Sequence, residues 1–258
     1  MFKVSIIMPA YNEERRIEKT LKSYSSYFED LRKKGKVNYK IIVVINNTTD
    51  RTEEIVKMFK KSNERISYLN LKQKGKGFAI IQGFKEALKD KQDLIGFVDA
   101  DLATRPEEYA KLIFSMKNYD GIVASRYIKG ATINPLPSLQ RRIAKRMFNS
   151  LVRILLFLPY KDTQCGAKIF KREVVKKSVD SLSMSQWAFD VELLYAFKKK
   201  GFKIKEIATR WFDKEYSTIN FWRSGPWMAL GVIRLRLLNS PLKTIMRIYD
   251  KIIRYVPR

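Results

Sequence analysis

Five short apolar runs, each ended by turn chemistry and separated by helix-like stretches, constrain this chain more than any other feature. They are Val4–Met8, Lys40–Ile45, Ile66–Leu71, Leu94–Val98 and Gly121–Ala124. Runs of this length read as buried parallel strands, the first one cut off by Pro9. Helical stretches are expected between them, from about Glu13 to Tyr27, over Thr52–Lys61, over Gly77–Leu88 and from Pro106 onward. In Thr52–Lys61 the apolar positions Ile55, Val56 and Phe59 carry the helical spacing. Strands alternating with helices predict an α/β fold with a doubly wound, mostly parallel sheet. Such sheets bind ligands outside the carboxyl ends of their strands, and the unusual residues of this chain fall there.

Beyond Arg126 the pattern changes. Pro135–Phe157 is a basic, helix-like segment carrying Arg141, Arg142, Lys145, Arg146 and Arg153. Asp162–Phe170 reads as a loop entering a strand, Gln186–Lys200 as a helix and Phe202–Arg210 as a late strand. The 52 basic and 26 acidic residues leave a net charge of +26, which calls for a polyanionic partner or surface. Residues 1–110 hold +6 of it and residues 111–258 hold +20, so the anionic partner is expected at the second half. Cys165 stands alone, which excludes an internal disulfide and fits a reducing compartment. The N-terminal apolar run is too short for a signal peptide, and no stretch reaches the ~18 apolar residues of a spanning helix.

Asp99-Ala100-Asp101 leaves the fourth strand. Two carboxylates one residue apart at a strand end can share a hard divalent cation, Mg²⁺ or Mn²⁺, with a diphosphate. In isolation the same tripeptide is a solvated turn; its place in the alternating series favours the metal site. After the first strand comes Pro9-Ala10-Tyr11-Asn12-Glu13-Glu14, where Tyr11 can stack on a nucleobase and Glu13 can accept hydrogen bonds. A turn with an acid placed at a helix N-terminus explains those residues equally well. Gly75-Lys76-Gly77 precedes a helix and can aim amides and one ammonium at phosphate oxygens, but it lacks the Walker spacing.

Together these motifs resemble glycosyltransferase family two with its A-type nucleotide-sugar fold. Pro-Ala-Tyr-Asn-Glu, Asp50-Arg51-Thr52, Gly75-Lys76-Gly77-Phe78-Ala79 and Asp99-Ala100-Asp101 follow in the family's order. Downstream, Ala124-Ser125-Arg126-Tyr127, Arg141-Arg142, Asp162-Thr163-Gln164-Cys165-Gly166 and Trp187-Ala188-Phe189-Asp190-Val191-Glu192 look like the dolichyl-phosphate sugar synthases, most of all the β-glucosyltransferase branch. The resemblance covers about residues 3–215 and implies a catalytic domain over 1–218. That domain has a nucleotide-sugar half (1–125) and an acceptor half (126–218), followed by a tail over 219–258. Two departures stand out: Ile45 and Asn46 replace an acidic pair that helps hold the nucleoside in relatives, and Ala103 replaces a Gln that ligates metal in mannose-type relatives.

The resemblance implies inverting transfer of a hexose, glucose from UDP-glucose being favoured, to polyprenyl (dolichyl) phosphate. GDP-mannose-dependent synthesis is the alternative within the family. Asp99 and Asp101 would hold the metal and act with Asp190 in catalysis. Pro9, Tyr11, Glu13, Asn46, Lys76 and Ala100 would hold the donor, and Arg126, Arg141 and Arg142 the acceptor phosphate. The attacking phosphomonoester has a second pKa near 6, so about nine-tenths of it is dianionic at pH 7 and needs no strong base. Asp190 is therefore open between a direct role, ordering of the acceptor loop and a helix cap.

Membrane contact is expected at two places. Ile143, Met147, Leu151, Ile154 and Leu155 interleave with the arginines of the basic segment. In the tail, Leu242, Ile245, Met246, Tyr249, Ile252, Ile253 and Val256 follow helical spacing opposite Lys243, Arg247, Lys251, Arg254 and Arg258. With Trp222 and Trp227 this reads as an amphipathic interfacial anchor on an anionic, cytoplasmic membrane face, or else as a helix packed on the domain or on a second subunit. A non-catalytic nucleic-acid- or membrane-binding protein would also explain the charge. Zinc-finger, RNA-recognition and basic-zipper signatures are absent, however, so no nucleic-acid partner is expected. A nucleotide-binding oxidoreductase is disfavoured because Gly-x-Gly-x-x-Gly does not follow the first strand.

Overall fold

The computed structural model describes residues 1–182, 188–212 and 221–241, with only the backbone for 221–227. The chain opens with β1 (Phe2–Ala10), α1 (Ile17–Lys33), β2 (Val37–Asn46), α2 (Thr52–Ser62), β3 (Ile66–Leu71), α3 (Lys76–Ala87), β4 (Leu94–Val98), α4 (Pro106–Phe114) and β5 (Gly121–Ser125). It continues with β6 (Thr132–Asn134), α5 (Leu139–Leu156), β7 (Ala167–Lys171), α6 (Arg172–Ser178), α7 (Phe189–Lys199), β8 (Ile204–Ala208), β9 (Arg210–Phe212) and α8 (Phe221–Leu238). Seven strands form one sheet in the order β3-β2-β1-β4-β7-β5-β8, and β6 pairs with β9 apart from it. The first four are mutually parallel, β7 runs antiparallel between β4 and β5, and β8 is parallel to β5.

The expected doubly wound, mostly parallel sheet is thus present, and the two sequence halves share it. Alternate strand residues feed two cores. Ile6 and Met8 of β1 and Ile41, Val43 and Ile45 of β2 pack under α1 and α4. Ile7, Ile42 and Val44 meet Ile80 and Phe84 of α3, with Phe189 and Leu193 of α7 beyond them. Since β2 and β4 flank β1 and the chain winds away in opposite directions, the switch point lies between β1 and β4, where such folds leave a crevice.

Three expectations shift. Pro9 does not end β1: it pairs opposite Val44, one residue from the strand end and past the last β4 partner, where a missing N–H costs little. α1 begins at Ile17 rather than about Glu13, because Glu13 to Arg16 form a turn with Glu13 O accepting from the amides of Arg16 and Ile17. It runs past Tyr27 because Phe28 and Leu31 prolong the buried stripe of Ile17, Leu21 and Tyr24. Within the segment expected as a tail, α8 buries Met228 and Val232 in the core beside α5 and α7. Trp187 and the amphipathic stretch from Leu242 lie outside the described residues, as do the side chains of Trp222 and Trp227.

Candidate active site

β4 is buried along its whole length and releases the chain at Asp99. The chain turns at once: the Ala103 amide donates to Asp101 Oδ1 at 2.9 Å, and Leu102 takes a positive φ of 60°. Burial and the neighbouring Asp99 push the Asp101 pKa up, against the pull of Arg16 and Lys76. The Asp99 amide donates to Gly166 O at 3.1 Å. A Cβ at Gly166 would lie 1.8 Å from Asp99 Oδ2, so only glycine lets the 162–166 loop back this carboxylate. Two hard oxygen donors on one turn, with room kept by a glycine, fit a divalent cation. Ala103 offers it nothing, being buried with its carbonyl taken by the Phe212 amide. No third Asp, Glu, His or Cys joins the pair among the described residues.

One lysine stands against the pair, and a second stands behind it. Lys76 opens α3, and its Nζ reaches Asp99 Oδ1 at 2.6 Å and Asp190 Oδ2 at 3.8 Å. A Cβ at Gly77 would meet Phe189 Cβ at 2.7 Å, so this glycine sets the close approach of α3 to the start of α7, where Asp190 sits. The other Asp190 oxygen lies 2.5 Å from Lys168 Nζ, which also donates to Cys165 O at 2.7 Å. Lys168 is 0% exposed. Burial acts to raise the Asp190 pKa, but Lys168 and Lys76 outweigh it and hold it below the usual carboxylate range. Burial acts to lower that of Lys76, but Asp99 and Asp190 outweigh it and keep it raised.

The residues expected to hold the donor converge on the same edge. Asn12, at φ 52°, accepts through Oδ1 from Thr48 Oγ1 and the Thr49 amide at 2.9 Å each, tying the loop after β1 to the loop after β2. Asp50 accepts from the Glu14 amide at 3.1 Å and the Thr52 amide at 3.0 Å. Between these loops Asn46 ends β2, buried, with an Oδ1 that has no hydrogen-bond partner. Tyr11 is 45% exposed, with Lys74 Nζ 5.8 Å from its ring centroid. Glu13 is not an open acceptor: Arg16 holds both its oxygens, at 2.7 and 2.9 Å. Burial nonetheless pushes Glu13 up to about 7, against the pull of Arg16. The Ala100 carbonyl is occupied by Thr20 Oγ1 at 2.7 Å.

Of the arginines expected to meet the acceptor, Arg126 is not a free fork. Its Nε and one terminal nitrogen grip Asp162 at 2.7 and 2.9 Å, and its amide donates to the same carboxylate at 2.9 Å. Its guanidinium also lies 5.1 Å from the Trp211 ring, and Lys145 of α5 lies 5.4 Å from that ring. Ser138 accepts from the Arg141 amide to start α5, and Arg141 and Arg142 follow half-buried in its first turn. Leu139, Ile143, Met147 and Ile154 stand exposed on α5, while Phe148 and Val152 face the core. No described helix is long and apolar enough to cross a membrane. Burial raises the Cys165 thiol to about 12, so it is no nucleophile at neutral pH.

Lys168, Gly166 and Asp162 were not singled out individually by the sequence reasoning. For Lys168 a signal existed: in Ala167-Lys168-Ile169-Phe170 the lysine shares the core-facing parity of Phe170. For Gly166 and Asp162 the local sequence holds none, since their partners lie 67 and 36 positions away.

Residues 5–179 match the family model of glycosyl transferase family 2. A dolichyl-phosphate beta-glucosyltransferase of Dictyostelium discoideum is 32% identical over 243 residues, spanning 90% of this chain and 73% of that protein. The Homo sapiens dolichyl-phosphate beta-glucosyltransferase is 31% identical over 253 residues, spanning 92% and 76%. Among solved structures, glucosyl-3-phosphoglycerate synthase of Mycobacterium tuberculosis, in complex with Mn²⁺, uridine diphosphate and glucosyl-3-phosphoglycerate, aligns with a TM-score of 0.64 at 18% identity, covering 92% of this chain and 79% of that one. A mannosyltransferase of Pyrobaculum calidifontis, in complex with GDP-Man and Mn²⁺, aligns with a TM-score of 0.59 at 14% identity, covering 92% and 63%. At these identities the two structures share the fold alone.

Proposed function

The chain belongs to glycosyl transferase family 2 and has its A-type fold, and from that premise we propose that it transfers glucose, with inversion, from UDP-glucose to a polyprenyl phosphate of the dolichyl kind. The observation that carries the reading is the carboxylate pair at the β1/β4 switch point, with Lys76 against it, in a chain about one-third identical to dolichyl-phosphate beta-glucosyltransferases.

Asp99 and Asp101 would hold Mg²⁺ or Mn²⁺, which neutralises charge growing on the departing diphosphate. With two carboxylates available among the described residues, the other positions would fall to the diphosphate and water. Lys76 offers an ammonium to the same oxygens. Asn46 presents an unpartnered acceptor to the nucleoside, and Tyr11 an exposed ring to the base. Pro9 and Ala100 shape the floor from the ends of β1 and the loop after β4. The lipid phosphate is already a dianion near pH 7. An Asp190 ion-paired through both oxygens suits that chemistry as a positioning residue rather than as a base. Arg126, held in place by Asp162, would receive the acceptor phosphate together with Arg141 and Arg142.

The lipid must reach this site from a bilayer. The exposed Leu139, Ile143 and Met147, alternating with Arg142, Lys145 and Arg146, suit α5 to lie in an anionic interface at the cytoplasmic face. Radiolabelled UDP- and GDP-sugars, offered with polyprenyl phosphate and Mn²⁺, test the donor: transfer from UDP-glucose is expected, and transfer from GDP-mannose alone would overturn the choice. Asp101→Ala should abolish transfer while leaving vesicle binding intact; unchanged turnover removes Asp101 from catalysis.

A further inference from the structure

The carboxylate pair already holds a cation of its own. Lys76 Nζ sits 2.6 Å from Asp99 Oδ1, one of the oxygens that a divalent ion on this pair would use. Its place there is built in. Lys168, fully buried, is fastened by Cys165 O and fixes one oxygen of Asp190. The other oxygen of Asp190 lies 3.8 Å from Lys76 Nζ and steadies it as a second anionic partner. The Phe97 ring lies beneath both ammoniums, with its centroid 6.0 Å from Lys76 Nζ and 5.2 Å from Lys168 Nζ. Gly77 sets the approach of α3 to α7, and Gly166 backs Asp99 from behind.

We propose that Lys76 is the resident counter-ion of the metal site, and that the divalent ion enters only together with a nucleotide diphosphate that takes the ammonium over. The charge balance dictates the coupling. Asp99, Asp101 and Asp190 face Lys76 and Lys168, and the Arg16–Glu13 pair beside Asp101 adds no negative charge, so the cluster carries at most one net negative charge and a dication alone would leave it positive and set two cations beside one carboxylate. A diphosphate arriving with the ion reverses that sign and gives Lys76 new oxygens, so Lys76 exchanges one anionic partner for another without a bare intermediate. By linkage, metal and nucleotide must then tighten one another by the same factor. The inference rests on the reading of Asp99 and Asp101 as metal ligands.

Free Mn²⁺ can be followed by its electron paramagnetic resonance signal during titration of the full chain, with and without UDP. The unsubstituted protein should bind Mn²⁺ weakly alone and at least tenfold more tightly with UDP. Lys76→Met removes the competing charge a few ångströms from the ion and should tighten Mn²⁺ binding without nucleotide by about tenfold or more, while shrinking the effect of UDP. Lys168→Met should shift Mn²⁺ affinity the same way by a smaller factor, since Asp190 then draws Lys76 off Asp99. Lys72→Met, on the exposed loop before α3, should leave it unchanged. Equal Mn²⁺ affinity in Lys76→Met and the unsubstituted protein overturns the counter-ion role while leaving the metal site standing. No Mn²⁺ binding even with UDP overturns both.

Discussion

Adding one methyl group at Gly166 separates the site from the fold that carries it. The new Cβ would fall 1.8 Å from Asp99 Oδ2 and 2.3 Å from its Cγ, where ordinary contact begins near 3.4 Å. The carboxylate would have to retreat by roughly 1.5 Å to restore van der Waals distance. Overpacking in a closed core costs about 1–3 kcal/mol. The lower end applies here, because the Asp99 side chain is 38% exposed and can swing outward. In a group proposed to hold the metal, a displacement of this size costs about 10²-fold in rate. Gly166→Ala should therefore lower kcat for glucosyl transfer about a hundredfold, weaken Mn²⁺ binding in the presence of UDP, and shift the melting temperature by only a few degrees. Gly35→Ala is the inverse control. That glycine has a φ of +68° with nothing within 4 Å of an added Cβ. Its substitution should cost ~1 kcal/mol of stability and leave kcat alone. Radiometric transfer in detergent, with calorimetric melts of both variants, decides it. A Gly166→Ala enzyme that keeps a third or more of its kcat would show that Asp99 need not stand where β4 leaves it.

Two further outcomes follow from the same geometry. Glu13 rises from 4.5 to about 7 through burial, so the native state holds its proton more firmly than the unfolded chain does. Its contribution favours folding below pH 4.5 and is lost as pH rises to about 7. Glu13→Gln, which does not titrate, should gain stability relative to the parent across that window and keep a constant advantage above it, read by urea unfolding in EDTA; a flat difference refutes the shift. On α5, Ile143→Glu with Met147→Glu replaces two exposed apolar side chains and should weaken flotation with anionic vesicles at least about tenfold, with helicity by circular dichroism unchanged; undiminished flotation assigns membrane binding elsewhere.

Much of the fold is readable because local and tertiary demands agree. β3 and β4 have the very bounds that their apolar runs suggest, and Pro106 opens α4 as a proline at a helix start should. The helix after β1 was less legible, because Glu13 to Arg16 have helix-forming composition yet close a turn through the Glu13–Arg16 ion pair. β6, β9 and α6 escaped for another reason: three-residue strands and a seven-residue helix carry too few apolar positions for a period to show. At the candidate site, the place of Asp99 and Asp101 directly after a buried strand was legible. The employment of Arg126 by Asp162 was not, because nothing local distinguishes an arginine that meets a ligand from one held by a carboxylate 36 residues on.

That engagement gives the 162–168 segment its coherence. Asp162 fixes Arg126 and is fixed in turn, its amide donating to Glu206 Oε1 at 2.8 Å in β8. The Thr163 amide and hydroxyl both donate to Asn149 Oδ1, at 3.2 and 3.0 Å, and so tie α5 to the sheet edge. Cys165 O anchors Lys168, Gly166 clears space for Asp99, and Lys168 sets Asp190 and thereby Lys76. Seven consecutive residues thus position the arginine assigned to the acceptor, the helix assigned to the membrane, the carboxylate assigned to the metal and the ammonium assigned to the leaving group. β7 can do this only because it runs antiparallel between β4 and β5. Its amino end, and the loop before it, then lie against the carboxyl end of β4, where a parallel strand would have put its own carboxyl end instead. The one reversed strand next to β4 is in this sense what joins residues 1–125 to the later part of the chain in a single sheet.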